Sequence, residues 1–179
     1  MKSRANWIVV LIMVLGLVLR TIWLAKYPAG FTPDEAAFGY NAYSILQTGK
    51  DEWGTPWWQL FSSNMRSFGD YKLPLYTFLT IPSIKLFGLN EFATRLPNAI
   101  IGTLAIGAIY LLSITLFNPP LKLRGGNPQE GVILGLVSAG IMTLSPWAIS
   151  MSRGAFEANL ATLFLPLGIY LFLKNKYWL

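Results

Sequence analysis

Three apolar runs, residues 96–117, 131–150 and 155–173, follow one another with only short connections between them. Each is about twenty residues long, which in a helix rising about 1.5 Å per residue matches a hydrocarbon core of about 30 Å. Inside lipid no backbone group can turn to water, so a run of this length must close its own hydrogen bonds as a helix. A fourth run, residues 6–25, follows Lys2 and Arg4 and has no small-x-small cleavage site before Tyr27-Pro28, so it reads as a membrane anchor rather than a removable signal. The chain is therefore expected to be an all-α, polytopic membrane protein with four spans. Arg20, near the outer end of the first run, is expected to snorkel to the interface.

Charge assigns the sides. The net charge is +6, but the Lys and Arg residues are scattered singly and form no stripe, which speaks against nucleic acid and makes them topology signals. The segment 73–87 carries Pro74, Pro82 and Lys85 and would reach only about 22 Å as a helix. If it does not cross, Lys2 with Arg4, Lys122 with Arg124, and Lys174 with Lys176 all fall on one side, as the positive-inside rule requires. Residues 73–87 are then an interfacial helix, and residues 26–95 form one extracytoplasmic loop of a cell-membrane protein whose N-terminus is cytoplasmic.

The chain has neither Cys nor His, so acid, base and metal roles fall to its eight carboxylates. Within the loop, Thr32-Pro33-Asp34-Glu35 fits a capping box that starts a helix over 33–48, ending at Gly49. Glu35 is the cap partner, and Asp34 is left free at the helix start. Asp34, Asn41, Ser44 and Thr48 fall on a polar stripe of that helix. Trp53, Trp57, Trp58, Phe61, Phe68 and Tyr71 follow, suited to lipid headgroups or to stacking on a sugar. Gly131, Gly135 and Ala139 have the spacing of a close helix contact, and Pro119, Pro120, Gly125, Gly126 and Pro128 mark a cytoplasmic connection. There is no phosphate-cradling glycine loop, no Gly-x-Ser-x-Gly turn and no metal-ligand spacing.

Four strings lie at the expected outer boundary: residues 30–40 around Asp34-Glu35, residues 71–76 with Lys72, residues 86–97 with Arg95, and residues 152–160 with Arg153 and Glu157. In order and spacing they resemble the N-terminal part of the membrane glycosyltransferases related to protein O-mannosyltransferases and to the aminoarabinose transferase of lipid A. The resemblance implies a GT-C-type fold and a polyprenyl-phosphate sugar donor. It makes Asp34 the residue that binds and deprotonates an acceptor hydroxyl, with Glu35 its neighbour, and it puts Lys72 on the donor phosphate. Arg95 and Arg153 match further basic positions at that phosphate, and Glu157 matches a second acidic position. Leu73 stands where the family more often has Pro. Ala37 stands where the aminoarabinose branch has Arg, which argues against that branch. Such proteins carry many more spans, so the chain is expected to be an N-terminal portion of one.

The chemistry is coherent on its own terms. A leaving lipid phosphate needs cations against its developing charge, and the acceptor oxygen needs a carboxylate base on the opposite face of the sugar carbon, which inverts that centre. Acceptor (protein, lipid or cell-wall glycan) and sugar stay open, as does a divalent metal; no other cofactor follows. A small transporter or channel subunit, or a non-catalytic membrane assembly protein, also stays open. The first would place polar groups at mid-helix, where these runs show few, and the second leaves the outer strings without a role.

Overall fold

The computed structural model describes residues 2–117 and 128–174. Pro119, Pro120, Lys122, Arg124, Gly125, Gly126 and Lys176, which mark the expected cytoplasmic connection and end, lie outside the described residues. The chain is predominantly helical. In order it forms α1 (Lys2–Thr21), α2 (Pro33–Thr48), β1 (Met65–Ser67), β2 (Asp70–Lys72), α3 (Leu75–Phe87), α4 (Glu91–Phe117), α5 (Pro128–Leu144), α6 (Pro146–Arg153), a 3-10 turn (Glu157–Asn159) and α7 (Leu160–Lys174). Helix α4 is the hub, with α1, α3, α5, α6 and α7 all packed on it.

Among the described residues, two helical stretches, Glu91–Phe117 and Glu157–Lys174, are long and apolar enough to cross a membrane, and the bent pair Gln129–Leu144 with Pro146–Arg153 would make a third. Ala5–Thr21 and Leu75–Phe87 are apolar but shorter. Small residues let these helices approach closely, as their spacing suggests. Ala139 is fully buried against Val9, Ile106 and Tyr110, and a methyl group on Gly135 would press on Ile114 and Tyr110. A second core, under the α2–β-hairpin region, gathers Phe38, Leu60, Met65, Tyr76, Ile101 and Leu160.

The structure corrects the expectation of one continuous helix over 131–150. Helix α5 stops at Leu144, and α6 leaves it at an angle of 58°. Pro146 is the cause: it disfavours helical backbone at Ser145, which is extended and caps α6, and it has no N–H to offer the Met142 carbonyl one turn back. That carbonyl accepts instead from Arg20 Nη2 at 3.1 Å. Arg20 therefore does not snorkel outward as expected. Its guanidinium is fully buried and also donates to Gly16 O and Ser152 Oγ. The same logic recurs in α4, where Pro97 frees the Ala93 carbonyl and Ser83 Oγ of α3 donates to it at 2.5 Å.

Two further departures come from the loop. An all-α reading misses the antiparallel hairpin β1–β2, in which Met65 faces Lys72 and Ser67 faces Asp70 across a two-residue turn. Phe68 and Gly69 both have positive φ, 50° and 77°, the backbone such a turn demands. Asn41 is buried rather than part of a wet stripe: its side chain donates to Ala37 O and accepts from the Glu52 N–H, tying α2 to the loop that follows it.

Candidate active site

The N-terminus of α2 organises the site. Thr32 is extended, its hydroxyl accepts from the Glu35 N–H, and the Glu35 carboxylate accepts from the Thr32 N–H at 3.0 Å, so both halves of the capping box form as expected. The helix also ends as expected, at Gly49 with φ 72°. Proline at the first helical position costs nothing there, because that N–H has no partner inside the helix anyway.

Glu35 has a larger structural duty than capping. It is 1% exposed, and Arg95, itself fully buried, grips it through Nε at 2.7 Å and Nη2 at 3.0 Å. Its Oε1 also accepts from the Ala155 N–H, which fastens the segment between α6 and α7 to the start of α2. Burial opposes a charge on Glu35, but the bonds from Arg95, Thr32 and Ala155 outweigh it and hold the carboxyl below the ordinary range. The remaining N–H groups of Arg95 go to the carbonyls of Leu24, Pro28 and Gly30, so all five donors of the guanidinium are committed within the chain.

Asp34, one residue earlier on the helix, turns the other way. It meets Lys72, whose Nζ donates to Asp34 Oδ1 at 2.5 Å and to Asp70 Oδ2 at 3.4 Å. The two partners differ in environment: the Lys72 side chain is 7% exposed and that of Asp34 52%. Burial works against the lysine charge, but the hydrogen bond to Asp34 more than restores it, and the ammonium is held above the ordinary lysine range. The last residue of β2 is Lys72 itself, so the hairpin is what carries the ammonium to α2.

Glu157 completes the group. Its Oε2 accepts from the Leu73 N–H at 3.0 Å, which joins the start of the 3-10 turn to the residue following Lys72. Asp34, Lys72 and Glu157 then line one cleft of about 220 Å³, walled by Phe38, Phe156 and Ala158. Three sequence strings, 38 and 84 positions apart along the chain, thus meet at one surface opening.

Arg95 and Arg153 do not line this cleft. Arg153, at the end of α6, donates to the carbonyl of Leu19 in the last turn of α1 and to those of Ile22, Trp23 and Tyr27 in the segment that follows. The aromatic walls and Asp70 were not singled out from the sequence as part of a site. Phe38 follows Asp34 by one helical turn and Asp70 precedes Lys72 by two strand positions, and these spacings were the available signals. Separately, an apolar groove of about 410 Å³ runs between α3, α4 and α7, lined by Leu79, Phe87, Ile100 and Phe164 among others. Among the described residues, no group of three or more His, Cys, Asp or Glu side chains is placed to hold a metal ion. No family model, curated protein or solved structure matches the chain.

Proposed function

We propose that the chain carries the acceptor-activating side of a membrane glycosyltransferase with a GT-C-type fold, using a polyprenyl-phosphate sugar as donor and a hydroxyl on a protein, lipid or glycan as acceptor. The observation that carries this reading is the convergence of Asp34, Lys72 and Glu157 on one cleft. A half-exposed carboxylate and a sequestered ammonium lining one cleft supply the base and the anion-binding cation that transfer from a lipid phosphate requires. The exposed aromatic side chains of the loop and the apolar groove between α3, α4 and α7 suit a substrate half headgroup and half isoprenoid.

In the proposed step the acceptor O–H gives its proton to the Asp34 carboxylate as its oxygen bonds to the anomeric carbon. The bond from that carbon to the phosphate oxygen breaks on the opposite face, and its electron pair leaves on the polyprenyl phosphate, with inversion. Lys72 meets the charge arriving on that phosphate. Glu157 holds the Leu73 amide and so keeps Lys72 in register. Arg95 and Arg153 are assigned to holding the backbone around the site rather than to the phosphate, since their donors are directed to Glu35 and to carbonyls. The same reading takes residues 6–25, α4, the α5–α6 pair and α7 as four spans of a cell membrane, with residues 26–95 extracytoplasmic and the N-terminus cytoplasmic.

The test is sugar transfer from a polyprenyl-phosphate donor by membranes expressing the complete gene, with and without Asp34→Asn. Transfer should fall by at least about a hundredfold, the usual scale for a lost general base, while membrane insertion is unchanged. Transfer by Asp34→Asn near the wild-type rate would overturn the assignment.

A further inference from the structure

We propose that Lys72 holds Asp34 inactive until a phosphate claims the ammonium, so that donor binding itself releases the base. The inference rests on the glycosyltransferase reading above. It starts from an observation that reading does not use: the proposed base and the proposed phosphate ligand are bonded to each other.

An ammonium has three N–H groups. In this structure one goes to Asp34 at 2.5 Å and one to Asp70 at 3.4 Å, and Nζ sits 5.9 Å from the centre of the Phe38 ring. The third N–H has no carboxylate partner, and an entering phosphate that takes it competes with both carboxylates for the ammonium. Asp70 is the weaker partner by distance and the more exposed of the two, at 74% against 52%, so it can turn to water without loss. Asp34 cannot yield so easily, because it stands on the first turn of a capped helix with Pro33 before it. The exchange therefore falls to the lysine side chain, which is flexible, while its backbone stays paired with Met65 in the hairpin.

The chemical consequence is an order of events. While Lys72 is bonded to Asp34 Oδ1, that lone pair is unavailable to an acceptor hydroxyl. Once a phosphate takes the ammonium, Asp34 is an unpaired carboxylate at the mouth of the cleft, facing the place where the acceptor must lie. Donor binding therefore frees Oδ1, and an acceptor arriving alone meets a base with that oxygen already occupied.

The experiment is a double-mutant cycle on phosphate binding, with farnesyl phosphate as the probe and the full-length protein in detergent micelles, read by tryptophan fluorescence. Lys72→Met should weaken binding at least about tenfold, and Asp34→Asn should tighten it about fivefold by removing the competitor for the ammonium. The deciding measurement is Asp34→Asn in the Lys72→Met background, where the gain should vanish because no ammonium is left to release. A gain that persists there would mean simple charge repulsion between Asp34 and the probe, and would overturn the exchange while leaving the lipid-phosphate reading intact. Absence of saturable binding by the wild type would overturn that reading and the exchange with it. Inorganic phosphate is the second probe. If it bound as tightly as farnesyl phosphate, the cleft would belong to free phosphate and the lipid-donor reading would fall, with the cycle still deciding the exchange. Circular dichroism checks each variant's helical content, and Lys72→Gln repeats the cycle if Lys72→Met loses it.

Discussion

Replacing Glu35 by Gln changes one atom and should cost the fold about 3–5 kcal/mol, the scale for removing one partner of a buried ion pair. The structure says why the loss is so large. Four N–H groups converge on this carboxylate: two from Arg95, one from Thr32 and one from Ala155. A glutamine amide keeps one acceptor oxygen and presents an NH2 where the other stood, so whichever way it turns some of those donors face a donor. Arg95 is left with its charge fully buried and no anion. In a chain of this size each kcal/mol moves the unfolding midpoint by about 2–4 °C, so Glu35→Gln should melt roughly 6–20 °C below wild type when helix content is followed in detergent at pH 7. The difference also has a pH signature. The Glu35 carboxyl is held below its ordinary range, so its stabilisation is complete above the unfolded value near pH 4.3 and is lost as pH falls through the folded value. Wild type and variant should therefore converge on the acid side. A loss under about 1 kcal/mol, or a gap that ignores acid, would refute this account of the ion pair.

Two further outcomes are expected. Because the chain has no cysteine, single variants Ser62→Cys and Glu130→Cys can be labelled in intact cells with an impermeant maleimide: position 62 should react from outside and position 130 should not, and the reverse pattern would sink the proposed orientation. Arg20→Met should lower stability by about 1–3 kcal/mol by stranding the Met142 carbonyl, and the loss should shrink when Pro146→Ala restores an N–H for it, which chemical denaturation of the four variants in detergent can measure; equal losses in both backgrounds would mean that Arg20 does not serve that carbonyl.

What could be read beforehand depended on whether the cause was local. The capping box at Thr32 and Glu35, the stop at Gly49 and the close packing at Gly135 and Ala139 follow from residues within a turn or two of one another, and all are present. Asp34, Lys72 and Glu157 were named as site residues one by one, but their meeting in one cleft depends on where the hairpin sets β2, and strands of three residues carry too little alternation to reveal that. The fate of the arginines was hidden for the same reason. Arg20 looked like a charge in need of water because its true partner, a carbonyl freed by a proline, lies 122 positions later. Arg95 offered the right chemistry for a phosphate, and only the folded chain reveals that Glu35 and three loop carbonyls already occupy it.

The two arginines that join α1 to the α5–α6 break also impose a schedule on how the protein is made. The carbonyls at the end of α1 wait for Arg153, and Arg20 waits for Met142 and Ser152, all more than a hundred residues downstream. At a synthesis rate of about 5–20 residues per second, Arg20 is made roughly 6–24 s before Met142. During that interval the first apolar helix carries an unmatched cation, which on the proposed topology stays at the bilayer surface until its partners arrive. On that topology α1 is expected to insert in two stages, and a nascent chain halted before residue 142 to leave its first helix shallow.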